Sequence, residues 1–178
     1  MTRFIYYAAS TLDGFIADKE DRIEWLLEFG MAEFQDQYDR FIEHIGAMVM
    51  GSKTYEFILG EGPDAWTYSV PAWVLTRREL PAVPGADIRF VQGPVEDVHA
   101  AALVAAAERD VWVVGGGDVA AQFARRGLLD DLQITVMPVV LGSGKPLLPV
   151  PGVTRPFTLV GSTPFPSGAV ELKYRLTD

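Results

Sequence analysis

Residues 111–123 read VWVVGGGDVAAQF: a run of β-branched and aromatic residues, three consecutive glycines, then an alanine-rich stretch of helical character. Three residues without side chains at the point where a strand becomes a helix have three physical explanations. A tight turn that needs positive φ accounts for one glycine, at most two. A dinucleotide fingerprint, G-x-G-x-x-G/A, is matched in form by GGGDVA. That motif also wants an acid about 20 residues on, at the end of the next strand. Here that strand ends in Val139-Val140-Leu141, with Asp130 and Asp131 at its beginning. The third explanation is a different nucleotide site using the same physics. The amides of Gly116, Gly117 and Asp118 at a helix N-terminus would face a pyrophosphate, and the helix dipole would favour its charge. Asp118 sits awkwardly beside a phosphate and is expected to cap the helix instead.

Outward from this element, strands and helices alternate. Residues 3–9, the return at 15–17, and 47–51, 72–76, 87–93 and 131–142 read as strands. Helices are expected over 31–45, 52–59, 94–109 and 118–126. In the first of these Phe34, Tyr38, Phe41, Ile42 and Ile45 form one apolar stripe, with Asp36, Asp39 and Glu43 on the far side. Segments 157–165 and 169–177, joined through Pro166-Ser167-Gly168, read as a closing hairpin, and 60–71 as a surface loop. The expected fold is α/β, a three-layer sandwich whose mixed, mostly parallel sheet ends in an antiparallel C-terminal hairpin, all within one domain over 1–178.

Composition narrows the function. The formal charge of −9 argues against a nucleic-acid surface. The absence of cysteine removes disulfides, thiolate nucleophiles and Cys-ligated zinc. With two histidines, His44 and His99, no metal site is expected. No apolar stretch has the length of a membrane span, and the N-terminus lacks a signal-peptide pattern. A cytoplasmic protein with no membrane partner is the expectation.

Two further strand ends carry anion-friendly groups. GAMVMGSKT, residues 46–54, resembles a Walker loop but fails as one, because Ser52 stands where the lysine belongs and Ala47–Met50 reads as a buried strand. Ser52 is instead a plausible helix N-cap, with Lys53 and Thr54 beside it. Arg77 and Arg78 follow the strand at 72–76. Three such strand ends imply a long ligand across the carboxyl edge of the sheet.

In this order the segments AASTLDGFIAD, VMGSKTYE, VLTR, VVGGGDVAAQF and DDLQITVMPVVLGSGKPLLP resemble the dihydrofolate reductase-like superfamily. The likeness is greatest to stand-alone relatives of the reductase domain in bifunctional riboflavin-biosynthesis deaminase-reductases, and it covers almost the whole chain. The resemblance implies NADPH as cofactor. Val114, Gly115, Gly116 and Gly117, with Asp118, Val119 and Gln122 of the following helix, would carry the pyrophosphate. Gly51, Ser52, Lys53 and Thr54 would close over it. Leu75, Thr76 and Arg77 would meet the adenosine and its 2′-phosphate, and Ala9 and Ile16 would flank the nicotinamide. It also implies a small heterocyclic, pterin- or pyrimidine-like substrate and a homodimer. A dinucleotide-binding or regulatory protein without turnover is the alternative.

The substrate half departs from both parents. The folate enzymes hold the pterin with a carboxylate on the first long helix, whereas here Glu33, Asp36, Asp39 and Glu43 lie off the apolar stripe. The riboflavin enzymes carry a lysine where this chain has Tyr7. Candidate substrate contacts are Asp13, which reads equally as the acid of an Asp-Gly turn, Tyr38, and Thr135, whose place in a strand needs no further reason. Trp25, Trp66 and Trp73 are aromatic candidates with packing as the commoner role, and Lys145 is a candidate anion contact.

Overall fold

Strand segments apolar on both faces require helices on both sides, and the arrangement follows from that requirement. The computed structural model describes residues 1–176. The chain runs β1 (Phe4–Thr11), β2 (Phe15–Ala17), α1 (Glu24–Leu27), α2 (Gln35–Glu43), β3 (Ile45–Gly51), α3 (Ser52–Gly60), β4 (Ala72–Leu75) and β5 (Ile88–Val91). It continues through α4 (Val95–Ala105), β6 (Asp110–Gly115), α5 (Gly117–Arg125), β7 (Asp131–Met137), β8 (Lys145–Pro146), β9 (Thr158–Pro164) and β10 (Val170–Arg175).

Eight strands form one sheet in the order β5-β4-β3-β6-β1-β7-β10-β9, and β2 pairs with β8 in a separate two-stranded ribbon. Strands β5 through β7 in that order are mutually parallel, and β10 and β9 close the sheet antiparallel. On one face Ala47, Val49, Val111 and Val113 pack against Val98 and Ala102 of α4 and Ala120 and Phe123 of α5. On the other, Met48, Met50 and Trp112 pack against Phe41 of α2 and Tyr55 of α3. The expected mixed sandwich with its terminal hairpin is what forms.

Several boundaries differ from the sequence reading. The strand expected to reach residue 142 stops at Met137, because Pro138 has no amide to donate to a ladder. Beyond it the Asp13 carboxylate draws in the amides of Leu141 at 3.1 Å and Gly142 at 2.7 Å. The helix expected over 31–45 is Gln35–Glu43, and Ile45 belongs to β3, paired with Asp110 of β6. Of the expected loop over 60–71, Gly60 ends α3 and the rest contains no helix or strand, but Trp66, Tyr68 and Val70 pack into the core rather than lying on the surface. Helix α1 and strand β8 were not foreseen. Of the expected last strand, Thr177 lies outside the described residues.

Gly46 marks where α4 comes closest to the sheet: a Cβ there would overlap the backbone of Ala106. Gly46→Ala is therefore expected to destabilise by about 1–3 kcal/mol through overpacking. In a thermal scan its midpoint should fall by roughly 2–12 °C, with the cleft described next left unchanged in composition.

Candidate functional site

The carboxyl ends of β4, β3, β6 and β1 lie side by side, spanning about 14 Å at the usual interstrand spacing. A cleft of 690 Å³ opens along them, within the range of small-molecule sites. Its walls come from the ends of these strands, the first turns of α3 and α5, and the β2–β8 ribbon.

The three glycines of residues 115–117 turn out to do three different things. Gly115 has φ +131°, a conformation reserved for glycine, and its peptide bond to Gly116 is cis. Gly117 lies so close to the carbonyls of Pro146 and Leu147 that a Cβ would overlap them. Gly116 has φ −70°, open to any residue. A Cβ on it would meet Ile16 Cδ1 at 3.7 Å, ordinary van der Waals contact. The fold therefore requires no glycine at 116; what a side chain there would occupy is the cleft.

Helices α3 and α5 both begin at this edge, with Gly51 and Gly116 as N-caps and no side-chain capping bond at either. Ser52 and Asp118, expected as caps, lie instead inside the first turns, and both line the cleft. A glycine at the N-cap has no side chain to satisfy the first helical amides, so these remain available to a ligand. Lys53, Thr54, Val119 and Gln122 line the same wall, as do Gly51, Leu75 and Val114. Ala9 and Ile16 line the cleft as well, Ile16 beside Gly116.

Thr76 and Arg77 follow Leu75 and stand just outside the cleft lining. The turn is held from behind. Arg78 makes a two-pronged pair with Glu56 of α3, at 2.9 and 2.7 Å, and its amide donates to Thr76 Oγ1 at 2.9 Å. Arg77 is exposed and, among the described residues, has no ion-pair partner.

Of the candidate substrate contacts, Asp13 is the turn acid. It accepts from Thr11 Oγ1 at 2.6 Å and from the two amides of the 141–142 loop, and it does not line the cleft. These donors hold its carboxyl below the usual carboxylate range, the Thr11 hydroxyl foremost. Thr135 is buried, cross-strand from Ala9 and Glu171, and does not reach the cleft either. Tyr38 also stays outside the lining, edge-on to Trp112 at 6.1 Å. Trp73 is a core residue with the Arg89 guanidinium over its ring at 4.6 Å. Trp25 packs with Phe34 and Met137, and Trp66 on Tyr55 and Tyr68. Lys145 does line the cleft, 3.6 Å from Asp21 across its mouth.

Sequence reading missed several residues. Trp112 and Tyr68 line the cleft, with Leu26 and Met31 from the α1 region. The apolar run around Trp112 marks a strand but not which face looks on the site. Glu171 is a fully buried carboxylate that accepts from Gln133 Nε2 at 2.9 Å, with Lys173 Nζ at 3.4 Å. Tyr7, in the place of the family lysine, packs on Phe41 with ring centroids 4.3 Å apart. Burial, with the Glu171 charge adding to it, pushes its phenol up to about 12.

The depressed carboxyl of Asp13 sets a pH dependence. Its stabilising effect is fully present above the unfolded aspartate value of about 3.9 and is lost as pH falls through the lower folded value. Asp13→Ala is expected to melt below the parent at neutral pH. The two midpoints should converge as the pH is lowered past that range, measured by circular dichroism.

The RibD C-terminal domain family model matches residues 63–170 of the chain. YwjB of Bacillus subtilis (strain 168), a protein of uncharacterized activity, is 29% identical over 143 residues, 80% of each chain. A crystal structure from Shewanella sp. PV-4, named for riboflavin biosynthesis, superposes with a TM-score of 0.84 at 27% identity, covering 99% of this chain and 100% of that one. Dihydrofolate reductase from Enterococcus faecalis, complexed with NADP(H), superposes at 0.64 with 15% identity over 99% of this chain and 97% of its own, so the fold is dihydrofolate reductase-like. With more than half its length matched, the chain belongs to the RibD C-terminal domain family.

Proposed function

We propose that this protein is an NADPH-dependent reductase that delivers a hydride to a C=O or C=N group of a small heterocycle. The observation that carries the reading is Gly116. Its backbone needs no glycine, and a Cβ there would project into the cleft at the N-terminus of α5. A backbone kept bare where conformation does not demand it fits a ligand that lies against it. Membership in the RibD C-terminal domain family supports a reductase, and the NADP(H) bound to the enterococcal neighbour supports the cofactor.

In this reading the uncapped amides of α3 and α5 hold the pyrophosphate, with Ser52, Lys53 and Thr54 adding polar contacts. Arg77, exposed and without an ion-pair partner among the described residues, meets the 2′-phosphate, a charge-assisted contact that favours NADPH over NADH. Ala9 and Ile16 orient the nicotinamide end. When bound, NADPH supplies the hydride; the protein's part is to fix distance and angle and to exclude water. Neither the ribose-phosphate lysine nor the helix-borne carboxylate of the parent enzymes is reproduced. Glu33 is bonded to the Ser167 amide at 3.1 Å and Asp39 to Gln35 at 2.7 Å. The proposed substrate is therefore neither parent's. A homodimer is proposed for the assembly, with the open edge strand β9 as its pairing element.

Among the described residues no helix is long and apolar enough to cross a membrane. Titration with NADPH and NADH, followed by tryptophan fluorescence quenching, is expected to show tighter NADPH binding. Arg77→Ala should cost NADPH about tenfold or more and leave NADH unchanged. Gly116→Ala should retain the parent's melting temperature yet lose NADPH binding. Equal binding of both nucleotides by all variants would overturn the reading. Oxidation of NADPH at 340 nm in the presence of pterin or pyrimidine carbonyl compounds separates a reductase from a protein that only binds the nucleotide.

A further inference from the structure

The lining of the cleft is mostly apolar, and elimination identifies which of its polar side chains is free to meet a substrate. Tyr6 donates its hydroxyl to the Leu147 carbonyl at 3.0 Å. Trp112 donates its indole N–H to the Tyr7 carbonyl at 3.1 Å. Asp21 and Lys145 are paired with each other at the mouth. Ser52, Lys53 and Thr54 belong to the first turn of α3, and Asp118 and Gln122 to α5. The remaining polar side chain of the lining is Tyr68, on the segment between α3 and β4.

Tyr68 is held between two indoles. Its ring meets Trp112 edge-on at 5.9 Å and Trp66 at 5.2 Å. Tyr38 of α2 is also edge-on to Trp112, at 6.1 Å, so the two tyrosines pack on one indole. Tyr68 also borders a neighbouring cavity of 520 Å³ formed by residues 57–65. Burial raises both phenols, so both stay protonated at neutral pH. Among the described residues the Tyr68 hydroxyl donates no hydrogen bond, unlike those of Tyr6 and Tyr55, and its proton remains for another acceptor.

We propose that Tyr68 donates a hydrogen bond to a ring carbonyl of the substrate, its ring held in place by the Trp112 and Trp66 indoles. The inference rests on the reductase reading of the same cleft. Of the two lysines in the lining, Lys145 is paired with Asp21 and Lys53 belongs to the cofactor side of the reading, so the group that Tyr68 meets is uncharged, unlike a phosphate or carboxylate.

The test uses the full chain saturated with NADPH and two probes of the same shape: pterin, which carries a ring carbonyl, and 2-aminopteridine, which lacks it. Binding is read from probe fluorescence anisotropy. The parent protein is expected to prefer pterin. Tyr68→Phe should weaken pterin about tenfold and leave 2-aminopteridine unchanged. Tyr38→Phe, which keeps the ring that packs on Trp112, should leave the binding of both probes unchanged. Equal loss for both probes, no loss, or no pterin preference in the parent overturns the proposal. So does loss of NADPH binding in Tyr68→Phe, which would make the phenol a structural or cofactor-side residue. NADPH quenching in the parent is measured first: its absence would defeat the reductase reading, whereas NADPH binding without pterin discrimination defeats this proposal alone.

Discussion

The close approach of the α5 N-terminus to the segment 144–147 is the constraint on which the cleft depends. Gly117 meets the Pro146 and Leu147 carbonyls with no room for a side chain, and Gly144 meets the Ala17 carbonyl in the same way. These two contacts lay β8 against β2 and across the end of the sheet. Tyr6 then reaches up from β1 to the Leu147 carbonyl, and the Leu147 amide donates to Gly14 at 2.9 Å. The result is a rigid lip facing the uncapped starts of α3 and α5. Without it those helix termini would open to solvent rather than to an enclosed cleft, and their amides would be hydrated.

The two halves of the cleft rest on different physics. The half at the starts of α3 and α5 is built from backbone: glycine N-caps, orphan amides and helix dipoles, features that tolerate much change in the side chains around them. The other half is built from side chains of three separate segments, with Tyr68, Trp112, and Leu26 and Met31 of the α1 region. Its shape depends on aromatic edge-to-face packing, which is sensitive to each member. A backbone-built half of this kind can persist while the side chains of the other half are exchanged.

Buried polar groups follow the same division. Glu171, Gln133 and Lys173 form a satisfied cluster under α2, away from the cleft. Asp13 is fully occupied in holding the 141–142 loop to the β1–β2 turn. Each carboxylate stabilises the frame and leaves the inner cleft to uncharged phenol and indole groups.

By itself the sequence determined whatever depends on local periodicity and backbone freedom. The alternation of strands and helices, the terminal hairpin and the glycine element at 115–117 were all legible, because burial on both faces and missing side chains leave marks within a few residues. Element ends were less so. Nothing local says that Ile45 leaves a helix stripe to pair with Asp110, or that a carboxylate more than a hundred residues upstream captures the amides after Pro138. Only the tertiary structure decided which glycine faces the cleft, that Asp13 and Thr135 do not, and that Tyr68 rather than Tyr38 does. The physical reason is common to all of these. A side chain's face follows from the period of its own element, but its neighbour follows from how elements distant in sequence are stacked. The 61–71 segment has no period at all, so the place of Tyr68 exists only once Trp112, Trp66 and Tyr38 have been assembled around it.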